Sequence, residues 1–318
     1  MEDNVSQPHF PNALSNRSTF QIAVDVAPLL VINLAALFGN VLLCIAFFKN
    51  NNLRSVTNIF VLTLAVCDIS MSITSMPLSE SALIAGEWIF GEFLCHFQGF
   101  LTLFLAFLSL QMMAMTAVNR YYRVLKPDLY KKVFTTGYTS LMIIAASLLS
   151  LGILSSVTFG QHGNLFIFHP GKTICVNVYR SMLTAQVYTI VSSALFVLLP
   201  AAVIVWCYVK VFTGIRKHFR RLATRKMSRA SLNSLNPAEI VVTRTLFAIV
   251  LAFFLCWIPC IVIDLMDIMR NKWFDRRMYL AYTYFAYISS AVNPFIYGVM
   301  NRSFRVEFLK LLRCRLKN

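Results

Sequence analysis

Several polar residues stand where their neighbours leave no water to hold them. Asp68 closes Leu64-Ala65-Val66-Cys67-Asp68 near the middle of the apolar run 57–84. An ionisable group at that depth in a membrane costs about 2.5–3.5 kcal/mol to insert, so it needs partners. Ser109, Ser289, Ser290 and Asn293 fall at comparable depth in later apolar runs, and Asn40 follows Gly39 in the first. Oxygen donors around one carboxylate suit a small cation such as sodium, and the same groups would equally form a hydrogen-bond network around a protonated Asp68. Asn40 also fits small-residue packing beside a polar tether. At the inner ends of the runs, Arg120 in Asn119-Arg120-Tyr121 and Glu239 are expected to form an ion pair that tethers two helices in one state and releases them in another. The plainer reading makes Arg120 an interface marker. Phe253 and Trp257, four residues apart, share a helical face beside Pro259, whose ring frees backbone carbonyls; a hinge under an aromatic pair follows, or simply core.

The elements that position these residues follow from composition. Of 318 residues 58% are hydrophobic and only 13% charged, too few charges to cover a water-soluble surface of this size. Seven apolar runs, 26–48, 57–84, 93–118, 137–159, 182–209, 246–263 and 278–300, are each long enough to cross a bilayer as helix. The fold class expected is an all-α membrane protein, a seven-transmembrane helix bundle. Its domains are an extracellular N-terminus over 1–25, the bundle over 26–300, and a short amphipathic eighth helix with the tail over 301–318.

The net charge of +16 would point to nucleic acid in a soluble domain. Here the basic residues sit between the runs, so they are topology signals and no nucleic acid partner is expected. Most Lys and Arg fall in the alternate segments Lys49–Arg54, Arg120–Lys132, Lys210–Arg244 and Arg302–Lys317; the other side holds only Arg17, Lys172, Arg180, Arg270, Lys272, Arg276 and Arg277. That bias places the C-terminus in the cytosol and the N-terminus outside, in a multi-pass plasma-membrane protein. The opening residues lack a basic n-region and a cleavage site, so the first run is expected to act as an uncleaved signal. Asn4 and Asn16 head sequons on the outer side, candidates for glycosylation. Five of the eight cysteines, Cys44, Cys67, Cys207, Cys256 and Cys260, read as small buried residues. Cys95 and Cys175 fall on the oxidising side, where a disulfide would pin the fourth-to-fifth loop over the bundle. Cys314, between Arg313 and Arg315, is a candidate for palmitoylation or a free thiol.

Taken together the chain resembles the rhodopsin-like (class A) G-protein-coupled receptors from the first run to the eighth helix. The residues that carry the likeness are Gly39-Asn40, Leu64 to Asp68, Cys95, Asn119-Arg120-Tyr121, Pro127, Pro200 with Tyr208, Phe253-x-x-Cys256-Trp257-x-Pro259, Asn293-Pro294-Phe295-Ile296-Tyr297, and Phe304. The resemblance implies a sodium pocket at Asp68 and a rotamer switch at Trp257 beneath the ligand. It implies inner elements at Tyr208, Pro294 and Tyr297 that rearrange, and an Arg120 that meets a heterotrimeric G protein when the sixth helix swings outward. There are departures from the family's pattern. Asn119 stands for the usual acid, as in melatonin receptors, so Arg120 is expected to lose a local partner and lean on Glu239. Ser147 stands for the fourth-span tryptophan, and Leu110 for an isoleucine beside Pro200 and Phe253.

The resemblance places a ligand pocket at Thr102, Leu103, Ala106, Ser192, Ser193, Phe196, Cys260, Ile261, Asp264, Thr283 and Tyr287. Thr102 replaces the aspartate that binds monoamines, and Tyr287 replaces the opsin lysine; the seventh run has no lysine, which excludes a retinal Schiff base. A small neutral or lipid-like ligand of unknown identity is favoured, and the receptor is treated as an orphan. Asp264 and Asp267, one turn apart, would instead suit a cationic peptide or amine, or be solvated end charges. On the inner face, the basic stretch 216–229 fits anionic membrane lipids, and Ser228, Ser231 and Ser234 would serve a receptor kinase and arrestin. A seven-span transporter or channel with Asp68 on an ion pathway is the alternative; no paired repeat with broken helices supports it. No enzyme is expected: the chain lacks His-Glu-x-x-His, Gly-x-Ser-x-Gly and paired intramembrane aspartates.

Overall fold

The computed structural model describes residue 14 and residues 17–158, 165–178, 182–224, 237–269 and 274–315. Asn4, Asn16, Ser228, Ser231 and Ser234 lie outside the described residues, as does the side chain of Cys314.

Helix α1 (Thr19–Lys49) opens on a capping box, Ser18 Oγ accepting from Gln21 N while the Gln21 side chain accepts from Ser18 N. Its apolar residues divide between a bundle face, with Leu29, Ala36 and Leu43 buried, and a lipid face carrying Val31, Leu34 and Phe38. Sequence hydropathy places the second span in one piece, whereas the chain forms α2 (Val56–Ile73) and α3 (Ser75–Ala85) with a break at Thr74. Pro77 lacks the N–H that would reach the Ile73 carbonyl, so the continuous ladder ends there. The third span, α4 (Gly91–Leu125), runs past the expected 93–118 because its inner turns are amphipathic and hydropathy marks only the lipid-buried part. A short helix α5 (Pro127–Val133) follows, with Pro127 at its start. Next come α6 (Thr136–Thr158) and a fifth span in two pieces, α7 (Met182–Ser193) and α8 (Leu199–Thr224). The π-helical turn Ala194–Leu198 joins them just ahead of Pro200, which cannot donate to the Phe196 carbonyl.

The sixth span, α9 (Pro237–Met269), contains Pro259; the seventh, α10 (Arg276–Met300), contains Pro294; α11 (Arg302–Arg315) is the amphipathic eighth helix. By length and apolarity six helical stretches among the described residues qualify as membrane spans. The seventh is as long, but Tyr279, Tyr282, Tyr284, Tyr287, Ser289, Ser290 and Asn293 dilute it, and it packs between α1 and α9 as a bundle member. Close packing decides one glycine here: a Cβ on Gly39 would come within 2.8 Å of the Pro294 ring.

The fourth-to-fifth loop was not expected to hold strands. It forms a hairpin of β1 (Leu165–His169) and β2 (Ile174–Val178), antiparallel with Phe168 opposite Cys175. Its turn brings Gly171 against Tyr279, where a Cβ would meet the ring at 2.6 Å, and holds Thr173 at φ 53.

Candidate functional site

One face of α4 presents Thr102, Leu103, Ala106 and Leu110 at helical spacing toward the bundle axis, with Ser109 on the adjoining stripe deeper in the membrane. Two cavities lie along that face. The lower one, about 20 Å³, is lined by Asp68, Ser109, Ser289, Ser290 and Asn293 with the apolar Met71, Leu105 and Met113. Asn293 Nδ2 donates to Asp68 Oδ2 at 2.9 Å, leaving Asn293 Oδ1 buried with no hydrogen-bond partner among the described residues. The volume is that of about one water-sized body, and the lining supplies a carboxylate and several neutral oxygens. Those donors fit a sodium ion. Asn40 does not line the cavity. Its amide donates to the Ala36 and Ser290 carbonyls at 2.9 and 3.0 Å, so it fixes the backbone of α10 beside the site and lies outside any ligand set.

The upper cavity measures about 550 Å³ and rests on Phe253 and Trp257. Ala106, Phe253, Trp257 and Ala286 line both cavities, so the Phe253–Trp257 pair, with ring centroids 5.7 Å apart, forms the partition. Thr102, Leu103, Ala106, Ser192, Ser193, Ile261, Asp264, Thr283 and Tyr287 line the upper cavity. Phe196 and Cys260 do not. Phe196 lies behind Phe107, the two rings stacked at 4.7 Å, and the Cys260 thiol turns to the Cys256 and Tyr282 carbonyls. The hydroxyls expected to meet a ligand are partly spent inside the bundle. Thr102 bonds Ser75 at 2.7 Å, Ser192 donates to the Tyr188 carbonyl at 2.7 Å, and Tyr287 bonds Ser79 at 2.7 Å.

The hairpin roofs this cavity. The disulfide Cys95–Cys175 ties β2 to the outer end of α4, and Gln98 Oε1 accepts from Cys175 N at 3.0 Å while its amide donates to Ser75 and Ser79. Phe166, His169, Lys172, Ile174, Val176, Asn177 and Val178 line the roof, and none of them was legible in the sequence beyond the presence of Cys175. Lys172 reaches down between α9 and α10. Its ammonium lies 2.7 Å from Asp264 Oδ1 and 3.0 Å from Asp267 Oδ2, over the rings of Tyr282 and Tyr279 at 4.8 and 5.6 Å. Thr283 donates to the Lys172 carbonyl. The two acids are therefore neither solvated end charges nor free for a ligand as a pair. His169 is packed edge-on to Tyr279, and its Nδ1 accepts from Lys172 N; burial, then the neighbouring Lys172 ammonium, lowers its pKa to about 4.

At the inner end Arg120 is buried and pairs with Glu239 at 2.9 Å. Asn119 does not leave Arg120 without a local partner. Its Oδ1 accepts from Arg120 at 3.0 Å and from Thr57 at 2.8 Å, so the neutral amide does part of an acid's work. Arg123, which sequence reasoning missed, also reaches Glu239. Tyr208 and Tyr297 are buried nearby, their hydroxyls without hydrogen-bond partners among the described residues. Tyr121 packs on Trp206 with centroids 4.9 Å apart, away from the lock.

The model of the rhodopsin-family seven-transmembrane receptors matches residues 39–297, a stretch that contains both cavities and the inner lock. The chain belongs to that family. It is a G-protein-coupled receptor, and the transporter or channel reading has no support. Similar proteins include the melatonin receptor type 1B-B of Danio rerio, 26% identical over 94% of this chain and 84% of the relative. The octopamine receptor beta-1R of Drosophila melanogaster is 25% identical over 88% of this chain and 59% of its own length. The crystal structure of squid rhodopsin superposes with a TM-score of 0.81 at 22% identity, over 98% of this chain and 91% of that one, a likeness of fold.

Proposed function

We propose that this receptor sits in the plasma membrane with its N-terminus outside and binds a small ligand with a largely apolar body in the cavity above Trp257. The observation that carries the reading is the partition. Whatever fills the upper cavity presses on Phe253 and Trp257, which also wall the Asp68 cavity. Sodium held by Asp68, Ser109, Ser289, Ser290 and Asn293 would stabilise the resting arrangement, and ligand binding would favour the other. A lining dominated by aromatic and aliphatic side chains with few polar groups supports a small organic ligand, neutral over most of its length, more than a peptide. Relatives named for melatonin and octopamine point the same way.

In this reading α9 swings outward at its inner end as Glu239 lets go of Arg120, and Arg120 then meets the heterotrimeric G protein. The basic inner segment holds anionic lipid, and Ser228, Ser231 and Ser234 serve a receptor kinase and arrestin. The test is GTPγS exchange in membranes carrying the full chain, each G-protein family added separately, across a library of small organic compounds. Exchange above that of Arg120→Ala at equal surface level is the expected result. Silence with every family and compound, together with ion or solute flux in vesicles, would overturn the reading.

A further inference from the structure

The roof of the upper cavity carries a charge imbalance. Among the described residues that line it, the charged groups are Lys172, Asp264 and Asp267, and His169 is held neutral by its lowered pKa. One ammonium against two carboxylates leaves one negative charge in excess inside a largely apolar enclosure, where an uncompensated charge is costly. The two acids differ in what they have left to give. Asp267 takes Lys172 on one oxygen and the Tyr279 hydroxyl, at 2.6 Å, on the other, and its side chain is 14% exposed. Asp264 takes Lys172 on Oδ1, but Oδ2 has only a long 3.3 Å bond from Tyr282, and its side chain is 45% exposed. A carboxylate has about four acceptor positions, so Asp264 has capacity facing the cavity.

The surroundings also show what these groups recognise. Lys172, 6% exposed, is an ammonium held by two carboxylates and two tyrosine faces, a combination suited to primary and secondary amines. An anionic ligand would face two carboxylates, and a wholly neutral one would leave the excess charge unmatched. Deeper in the cavity Thr102 supplies a hydroxyl already bonded to Ser75.

We propose that the ligand carries one ammonium group, which docks on Asp264 beside Lys172 as the second cation of a two-carboxylate, two-tyrosine cage. This rests on the reading of the upper cavity as the ligand pocket and adds to it the charge and placement of the ligand's polar end. Asp264 and Trp257 are seven residues apart on α9, about 10 Å along the helix, so the amine lies at the roof and the apolar body fills the two turns below. The ligand then stitches the hairpin to α9 through Lys172, Asp264 and its own ammonium.

The test uses full-length receptor in lipid nanodiscs and matched probes: tryptamine and phenethylamine, each against its N-acetyl derivative, which keeps the aromatic body and removes the charge. The amines should raise the thermal midpoint more than their N-acetyl forms. Asp264→Asn should weaken the amines by about 10- to 100-fold and leave the N-acetyl forms unchanged, the loss expected for one charge-assisted hydrogen bond. Lys172→Gln, which deepens the charge excess, should strengthen the amines. The amine against N-acetyl comparison is made on the unmodified receptor, so it stands even if Asp264→Asn fails to reach the surface. Equal or greater stabilisation by the N-acetyl forms overturns the ammonium site and leaves the pocket reading intact. No stabilisation by any amine overturns it as well, and exchange assays with other bodies then judge the pocket separately.

Discussion

Arg123 donates to Glu239 Oε1 through Nε at 3.0 Å and Nη2 at 2.7 Å, while Glu239 Oε2 accepts from Arg120 at 2.9 Å. One carboxylate on α9 thus clamps two arginines one helical turn apart on α4, and Tyr130 of α5 holds Arg123 through a 3.2 Å hydrogen bond and its ring face. The clamp resists outward movement of α9 with more than the single pair that a restraining arginine implies.

Glu239→Ala should therefore raise agonist-free GTPγS exchange by about 5- to 30-fold, the population change produced by one or two kcal/mol. Arg123→Ala removes the more exposed half of the clamp, whose side chain is 37% accessible, and should raise it by less, within the roughly 0.2–1 kcal/mol of an exposed pair. Equal basal rates in wild type and Glu239→Ala would show that this carboxylate does not hold the resting state.

Asp68→Asn should abolish any sodium dependence of ligand affinity while the receptor still reaches the surface, because Asn keeps the shape and a hydrogen-bonding oxygen but loses the charge that holds the ion. Binding measured in sodium and in N-methylglucamine buffers reads this directly. A sodium effect that survives the substitution would place the ion elsewhere.

How far each of these features was legible follows from how strongly its surroundings constrain it. Lipid excludes polar groups, so Asp68, Ser289, Ser290 and Asn293 announced a common site before any contact was known, and the bundle itself followed from seven apolar runs. Pocket positions on the helices came from the family resemblance. It misplaced Phe196, which lies in the π-helical turn, and Cys260, whose thiol turned to the next helix. Lys172 was invisible as a pocket residue. The loop that carries it has no helical period, and only the hairpin pairing with the Cys95–Cys175 bond aims it inward. Arg123 looked like another interface marker in a basic segment, since sequence spacing does not say that α9 lies within its reach.

The roof depends on Gln98 as well as on the disulfide. Gln98 is fully buried between Ser75, Ser79 and the Cys175 backbone. Gln98→Leu leaves the buried Cys175 N–H without its side-chain acceptor, a cost of about 1–3 kcal/mol. It should lower the thermal midpoint of the receptor in nanodiscs and speed ligand dissociation. Cys175→Ser should go further, with about 2–5 kcal/mol lost and surface expression reduced several-fold. Unchanged dissociation in Gln98→Leu would mean that the disulfide alone positions the hairpin.

His169 gives the roof a pH dependence of definite sign. Its ring is buried against Tyr279 and beside Lys172, and its pKa falls from an unperturbed value near 6.5 to about 4, mainly through burial. The folded roof binds the proton less readily than the unfolded loop does, so the His169 contribution is complete above about pH 6.5 and is lost progressively as pH falls toward 4. Its upper bound is about 3 kcal/mol by linkage, shared with any local opening that lets the ring meet water. Thermal stability of the nanodisc receptor should therefore decline between those two values. His169→Gln keeps an acceptor for Lys172 N without a titrating ring and should flatten the decline. A profile identical to wild type in His169→Gln would assign the pH response to another group and remove His169 from the roof's titration.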